Sequence, residues 1–147
     1  MCPDSVAADP VLAVLDTNIV LDVLVFDDPA TRVLKAAVQR GQVRWLATSA
    51  MREELARVLA YPKIVQRLNL LQSQAHQVLA QFDALAQSVA AAPKAALTCT
   101  DADDQKFIDL ALAHQATVIS KDKAILCMAK RMQKLDARAL TAIDLVA

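Results

Sequence analysis

Val11-Leu12-Ala13-Val14-Leu15-Asp16-Thr17-Asn18 sets five consecutive apolar residues against a polar ending. A short, unbroken apolar run of this kind reads as a strand buried on both faces, with the polar triplet marking its C-terminal end. It is expected to be the first and central strand. The apolar character continues to Val25, but Asp16, Asn18 and Asp22 interrupt it, so it cannot cross a bilayer as a helix. Residues 1–10 have none of the features of a signal peptide and read as a flexible N-terminal extension. The expected arrangement is one domain over residues 1–147, located in the cytoplasm.

Outward from that strand, helical and extended patterns alternate. A helix is expected from about Asn18 to Val25, then a turn at Asp27-Asp28-Pro29, then an amphipathic helix from Ala30 to Arg40 that stops at Gly41. Val43 to Ala47 reads as the second strand. Ser49 is expected to cap a helix running to about Ala60 and ended by Pro62, and Lys63 to Ser88 reads as one helix or two. A weak third strand falls either around Val89 or within Ala96 to Thr98. Helix is then expected over Asp103 to His114, strand over Ala116 to Ser120, helix over Asp122 to Met132, and a last strand over Ala137 to Leu140 before a terminal turn. This alternation implies an α/β fold, a parallel sheet of four or five strands with helices on both faces. Ligands in such sheets bind beyond the carboxyl ends of the strands.

Composition narrows the chemistry. Hydrophobic residues make up 56% of the 147, which excludes a disordered chain. Sixteen basic and sixteen acidic residues cancel, so attraction for a polyanion has to come from a local basic patch or from bound cations. Gly41 is the only glycine, which removes the phosphate-cradling loops of nucleotide-dependent classes. Cys2, Cys99 and Cys127 are odd in number and widely spaced, the pattern of ordinary thiols and not of a disulfide frame or a zinc cluster. His76 and His114 have no local partner and read as structural.

Four acids can be aimed at the sheet's carboxyl edge. Asp16 directly follows five buried apolar residues, where a charge is costly unless something positive neutralises it. On the helix from Ser49, the stripe Met51, Leu55, Val58 and Leu59 fixes the buried face. At roughly 100° per residue, Glu54 lies at the rim of that stripe and Glu53 nearly opposite. Asp104 falls on the stripe of Phe107, Ile108 and Ala111, Asp109 points away, and Asp122 follows the strand Ala116 to Ser120. Each has an ordinary reading: Glu54 as a boundary ion pair, Asp104 and Asp122 as helix caps. Four together at one edge, with neither His nor Cys, suit Mg²⁺ or Mn²⁺, ions that polarise a phosphodiester and acidify bound water. Among nearby basic residues, Lys121 and Arg57 are the first candidates for phosphate contacts.

Leu15-Asp16-Thr17-Asn18, Ser49 through Glu54-Leu55, Asp103-Asp104-Gln105-Lys106-Phe107 and Ile119-Ser120-Lys121-Asp122 together resemble the PIN-domain pattern over about residues 11 to 145. Arg57-Val58-Leu59-Ala60-Tyr61-Pro62-Lys63 is similar to a segment of the toxin components of bacterial toxin–antitoxin systems. The resemblance implies a three-layer α/β/α sandwich and a metal-dependent ribonuclease acting on single-stranded RNA. It also implies Asp16, Glu54, Asp104 and Asp122 as catalytic, metal-binding acids, with Asn18 and Ser120 supporting them. Asp101 and Asp103 are extra acids beside the pattern's third position: Asp103 is a further supporting candidate, and either competes with Asp104 as ligand. An antitoxin protein and a homodimer are the partners implied. Two other readings stand beside this one. An aspartyl-nucleophile phosphatase would resemble Asp-x-Asp-x-Thr, whereas position 18 is Asn, and a non-catalytic RNA- or protein-binding module would keep the scaffold without the chemistry.

Overall fold

The computed structural model describes residues 10–142, so the proposed extension at 1–10, Cys2 and the terminal turn lie almost wholly or wholly outside the described residues. Five strands form one all-parallel sheet in the order β3-β2-β1-β4-β5: β1 (Val11–Leu15), β2 (Val43–Ala47), β3 (Ala86–Ser88), β4 (Thr117–Ile119) and β5 (Arg138–Leu140). Parallel neighbours require crossovers, and the helices supply them. α1 (Thr17–Leu24) and α2 (Pro29–Gln39) join β1 to β2, and α3 (Ser49–Leu59), α4 (Pro62–Leu70) and α5 (Ala75–Leu85) join β2 to β3. An irregular stretch over 89–101, a 3-10 turn (Ala102–Asp104) and α6 (Gln105–His114) carry the chain to β4, and α7 (Lys123–Leu126) and α8 (Ala129–Gln133) lead to β5. Since such crossovers are right-handed, α1 to α5 cover one face of the sheet and α6 to α8 the other. This is the α/β/α sandwich expected from the alternation of elements.

The strand order reverses direction at β1. β2 and β3 extend to one side of it and β4 and β5 to the other, so the crevice beyond the ends of β1 and β4 is the topological switch point where doubly wound sheets bind ligands. The core around it is apolar. Ala13, Val14, Val118, Ile119 and Ile108 are fully buried, and Trp45 meets Phe82 edge to face at 5.0 Å. Gly41, at φ 78°, takes the left-handed position that turns α2 into β2.

Several boundaries differ from the sequence reading, each for a local reason. Thr48, not Ser49, caps α3: its hydroxyl accepts the Met51 N–H at 3.4 Å and Ser49 is the first helical residue. Pro62 stands beyond the end of α3 but opens α4, where the first-turn position needs no N–H and Tyr61 before it is extended. The stretch after Lys63 is two helices, separated where Gln72 turns to φ 52° and Gln74 pairs with Gln77 in a capping box. The third strand begins at Ala86 and its ladder continues to Val89, whose N–H bonds Ala47 O at 2.9 Å, while 96–98 is irregular. The helix expected from Asp122 to Met132 is two short ones, α7 and α8. Cys99 and Cys127 are free thiols, and His76 and His114 are exposed on helices. No helix among the described residues is long and apolar enough to cross a membrane.

Phe82 fastens α5 over β2 through Trp45, so Phe82→Ala is expected to cost about 3 kcal/mol in unfolding free energy. The check is a lowered urea midpoint at unchanged slope.

Candidate functional site

Asp16 follows β1 and is buried, yet it keeps the strand's register, since its own N–H bonds Ile119 O at 3.2 Å. Its Oδ1 accepts the Ile19 N–H at 2.9 Å and so caps α1, and its Oδ2 receives the Ser120 hydroxyl. Burial pushes the Asp16 carboxyl up from its ordinary value, against the lowering pull of Ser120 and Ile19; the nearby charge of Asp122 adds to the rise and Lys121 opposes it. The neutralising demand read from the sequence is thus met in part by two hydrogen-bond donors.

Asp122 follows β4 in the same way. Its N–H bonds Ser120 Oγ at 2.9 Å, and its Oδ1 accepts the Ala124 N–H at 2.9 Å to cap α7. Asp101 caps the 3-10 turn through the Asp103 N–H at 2.9 Å. Asp104 closes that turn and precedes α6 without making a capping hydrogen bond. The cap reading of Asp101-x-x-Asp104 therefore applies to Asp101, and Asp104 is left over.

Carboxylate oxygens of Asp101, Asp104 and Asp122 all lie within 4.8 Å of one another. Asp104 Oδ2 is buried and is the one such side-chain atom without a hydrogen-bond partner among the described residues. Asp104 is pushed up to about 7, first by burial, then by its hydrogen bond with Asp122 and by the charges of Asp101, Asp122 and Asp16. A carboxylate so placed calls for a proton or a cation.

Glu54 stands at the rim of the α3 stripe, half-buried, with Glu53 exposed. The Thr17 hydroxyl donates to its Oε2, and Lys106 Nζ lies 2.7 Å from its Oε1. Neither Thr17 nor Lys106 is singled out as a site residue by the sequence. No local signal marks Lys106, because its partner Glu54 lies 52 residues away along the chain.

Asp16, Glu54, Asp101, Asp103, Asp104 and Asp122 line one cleft of about 740 Å³. Leu21, Val58, Tyr61, Pro62, Ile64 and Phe107 form its apolar wall. The other sequence candidates are placed unequally. Ser120 is buried between Asp16 and the Asp122 backbone, while Asn18 is exposed at the cleft. The Asp103 side chain is exposed and its carbonyl accepts Lys106 Nζ at 2.6 Å. Lys121 is engaged by buried Asp22 at 2.8 Å, Arg57 is exposed on α3, and Lys63 is the basic residue lining the cleft among the described residues.

The loop that delivers Asp101 is tied to α6. Gln105 Nε2 donates to Leu97 O at 2.9 Å, Gln105 Oε1 accepts the Cys99 N–H at 2.6 Å, and Asp109 Oδ1 accepts the Ala95 N–H at 2.9 Å.

Because Asp16 is a cap, Asp16→Ala is expected to destabilise the fold by about 1–2 kcal/mol, whereas Asp16→Asn, which keeps an oxygen for the Ile19 N–H, loses much less. Thermal melts of the two variants in metal-free buffer separate these outcomes. For Asp104 the sign follows from its raised pKa. The folded chain holds a proton there between the ordinary carboxylate value of 3.8 and about 7 that the unfolded chain has released, so stability is fully present below the lower value and is lost as pH rises through the upper one. Asp104→Asn is expected to exceed the parent in metal-free stability at about pH 8 by on the order of 1 kcal/mol, screening by solvent having reduced the effect. The advantage should vanish near pH 4, as denaturation across that pH range would record.

Comparison with known proteins agrees with the geometry. Residues 12–124 match the family model described as the PIN domain, while no curated protein matches the chain. The matched span runs from β1 past the Asp122 cap, covering every acid of the cleft and well over half of the 147 residues, and the chain belongs to the PIN-domain family, whose members are generally nucleases.

Proposed function

We propose that the chain is a divalent-metal-dependent endoribonuclease acting on single-stranded RNA, and that it serves as the toxin of a toxin–antitoxin pair. The observation carrying this reading is the buried, unpartnered Asp104 Oδ2 crowded by Asp101 and Asp122. An all-oxygen donor set without His or Cys fits Mg²⁺ or Mn²⁺. Asp104, Asp122 and Asp101 would hold the ion, with Asp16 adding charge from the end of β1 and Glu54 closing the cleft. When bound, such an ion supplies an activated water and charge stabilisation at a phosphodiester.

The chain's own residues supply position. Ser120 locks Asp16 and the Asp122 backbone together, so the ends of β1 and β4 present their acids as a rigid pair. Lys63 lies where a phosphate would enter, and the apolar wall with Tyr61 gives unstacked bases a surface that duplex bases cannot reach. Asp16 has both oxygens engaged, which removes support from an aspartyl-nucleophile phosphatase. The toxin role rests on the similarity of Arg57 to Lys63 to toxin components; an antitoxin and a homodimer are the partners it brings.

Unstructured RNA is expected to be cut in Mg²⁺ or Mn²⁺ and left intact in excess EDTA, with Asp104→Asn reducing the rate by a factor on the order of a hundred or more. Cleavage that persists in EDTA would overturn the metal mechanism, and equal cutting of duplex RNA would overturn the strand preference. For the toxin role, induced expression should arrest bacterial growth in the parent but not in Asp104→Asn, and co-expression of the adjacent gene should relieve the arrest.

A further inference from the structure

Two thiols share one carbonyl beside the acids. Cys99, buried near the end of the irregular stretch that delivers Asp101, donates through Sγ to Ala124 O at 3.4 Å, and Cys127, exposed at the C-terminal end of α7, donates to the same oxygen at 3.4 Å. The two sulfurs are therefore at most twice that distance apart. Rotation about Cα–Cβ and a shift of loop backbone suffice to bring them to bonding length. The backbone that has to give is 89–101, which is neither helix nor strand. Both ends of the contact also lead to the acids. Cys99 is two residues before Asp101, and the N–H of Ala124 is the donor that Asp122 Oδ1 accepts at 2.9 Å.

We propose that Cys99 and Cys127 are a redox pair, closed into a disulfide by a hydroperoxide such as hydrogen peroxide, and that closure displaces Asp101 from Asp104 and Asp122. The exposed Cys127 meets the oxidant first. Its sulfur attacks one peroxide oxygen, the O–O bond breaks, and a sulfenic acid forms as one water leaves. The Cys99 sulfur then attacks the sulfenic sulfur, the S–O bond breaks, and the hydroxyl departs with the Cys99 proton as a second water. The two thiols lose two electrons and two protons in all, and the peroxide takes them up. Closure removes both S–H donors from Ala124 O and pulls the loop towards α7. Asp101 moves with the loop, so the three carboxylates no longer share the spacing of the reduced chain. This consequence rests on the cation reading above; the disulfide itself does not.

The test uses the full chain with Cys2→Ser, so that the remaining thiols are Cys99 and Cys127. After peroxide treatment and denaturation, maleimide labelling read by intact mass is expected to fall from two thiols to none in monomeric protein, and a reductant should restore both. Cys99→Ser should instead stop at a sulfenic acid on Cys127 that dimedone traps, and Cys127→Ser should keep the buried Cys99 as a thiol. A monomer that retains both thiols, or accumulates the Cys127 sulfenic acid without closing, would overturn the pair. If Cys99→Ser folds poorly, Cys127→Ser decides: loss of the Cys99 thiol at the parent's rate overturns the order of attack. The coupling is read by Mn²⁺ titration calorimetry after the oxidant has been removed. The oxidised chain is expected to bind roughly tenfold more weakly than the reduced one, the low end for disturbing groups that orient a ligand. Equal affinity in the two forms overturns the displacement of Asp101. A reduced chain that binds no Mn²⁺ overturns the cation reading and the displacement together, while the thiol count still decides the disulfide.

Discussion

β1 and β4 are adjacent and parallel with Leu15 opposite Ile119, so Asp16 and Ser120 leave the sheet side by side. The Ser120 hydroxyl joins the two ends: it donates to Asp16 and its oxygen accepts the Asp122 N–H. A buried carboxylate held this way cannot drift, and everything at the carboxyl edge is arranged around it. α1 starts where it does because Asp16 caps it, and Asp122 is carried to the cleft because the Ser120 oxygen fixes its backbone. The strand order places this junction at the reversal point of the sheet, where no further strand blocks the crevice.

Helix capping and cation binding make different demands on a carboxylate, and the acids divide them. Asp122 and Asp101 each commit one oxygen to a backbone N–H, which orients the group and leaves the other oxygen for the cleft. Asp16 commits both. Asp104 commits neither to a cap, and it is there that burial and neighbouring charge push the carboxyl up to about 7. Caps set the positions of the first three acids, and the cost of their proximity is concentrated on the fourth.

The parts legible in the sequence were those with a strong local period. Five apolar residues ending in Asp16 gave the central strand, and the Met51, Leu55, Leu59 stripe put Glu54 at the rim and Glu53 outside. β3 was hard to locate because an edge strand of three residues, Ala86, Gln87 and Ser88, has no apolar run to mark it. Asp109, whose helical face reads as pointing away from the core stripe, is half-buried and clamps the 89–101 loop. No periodicity reveals that, because its partners are the backbone of Ala95 and the side chain of Gln105. Thr17 and Lys106 were missed for a similar reason. Their partner, Glu54, is 37 and 52 residues away along the chain, and only the fold makes them neighbours.

The charge balance shapes how a polyanion could use this cleft. Sixteen positive and sixteen negative charges cancel over the chain, yet the cleft gathers six acids, while Lys106 is spent on Glu54 and Lys121 on Asp22. Without a bound cation the local field repels phosphate, whatever the apolar wall offers a base. A divalent ion at Asp101, Asp104 and Asp122 would offset part of that charge and put a positive centre at the place where a phosphodiester would have to lie. On the nuclease reading, metal loading and RNA binding are therefore one linked equilibrium, because the phosphate that the acids repel is the group that the bound ion attracts.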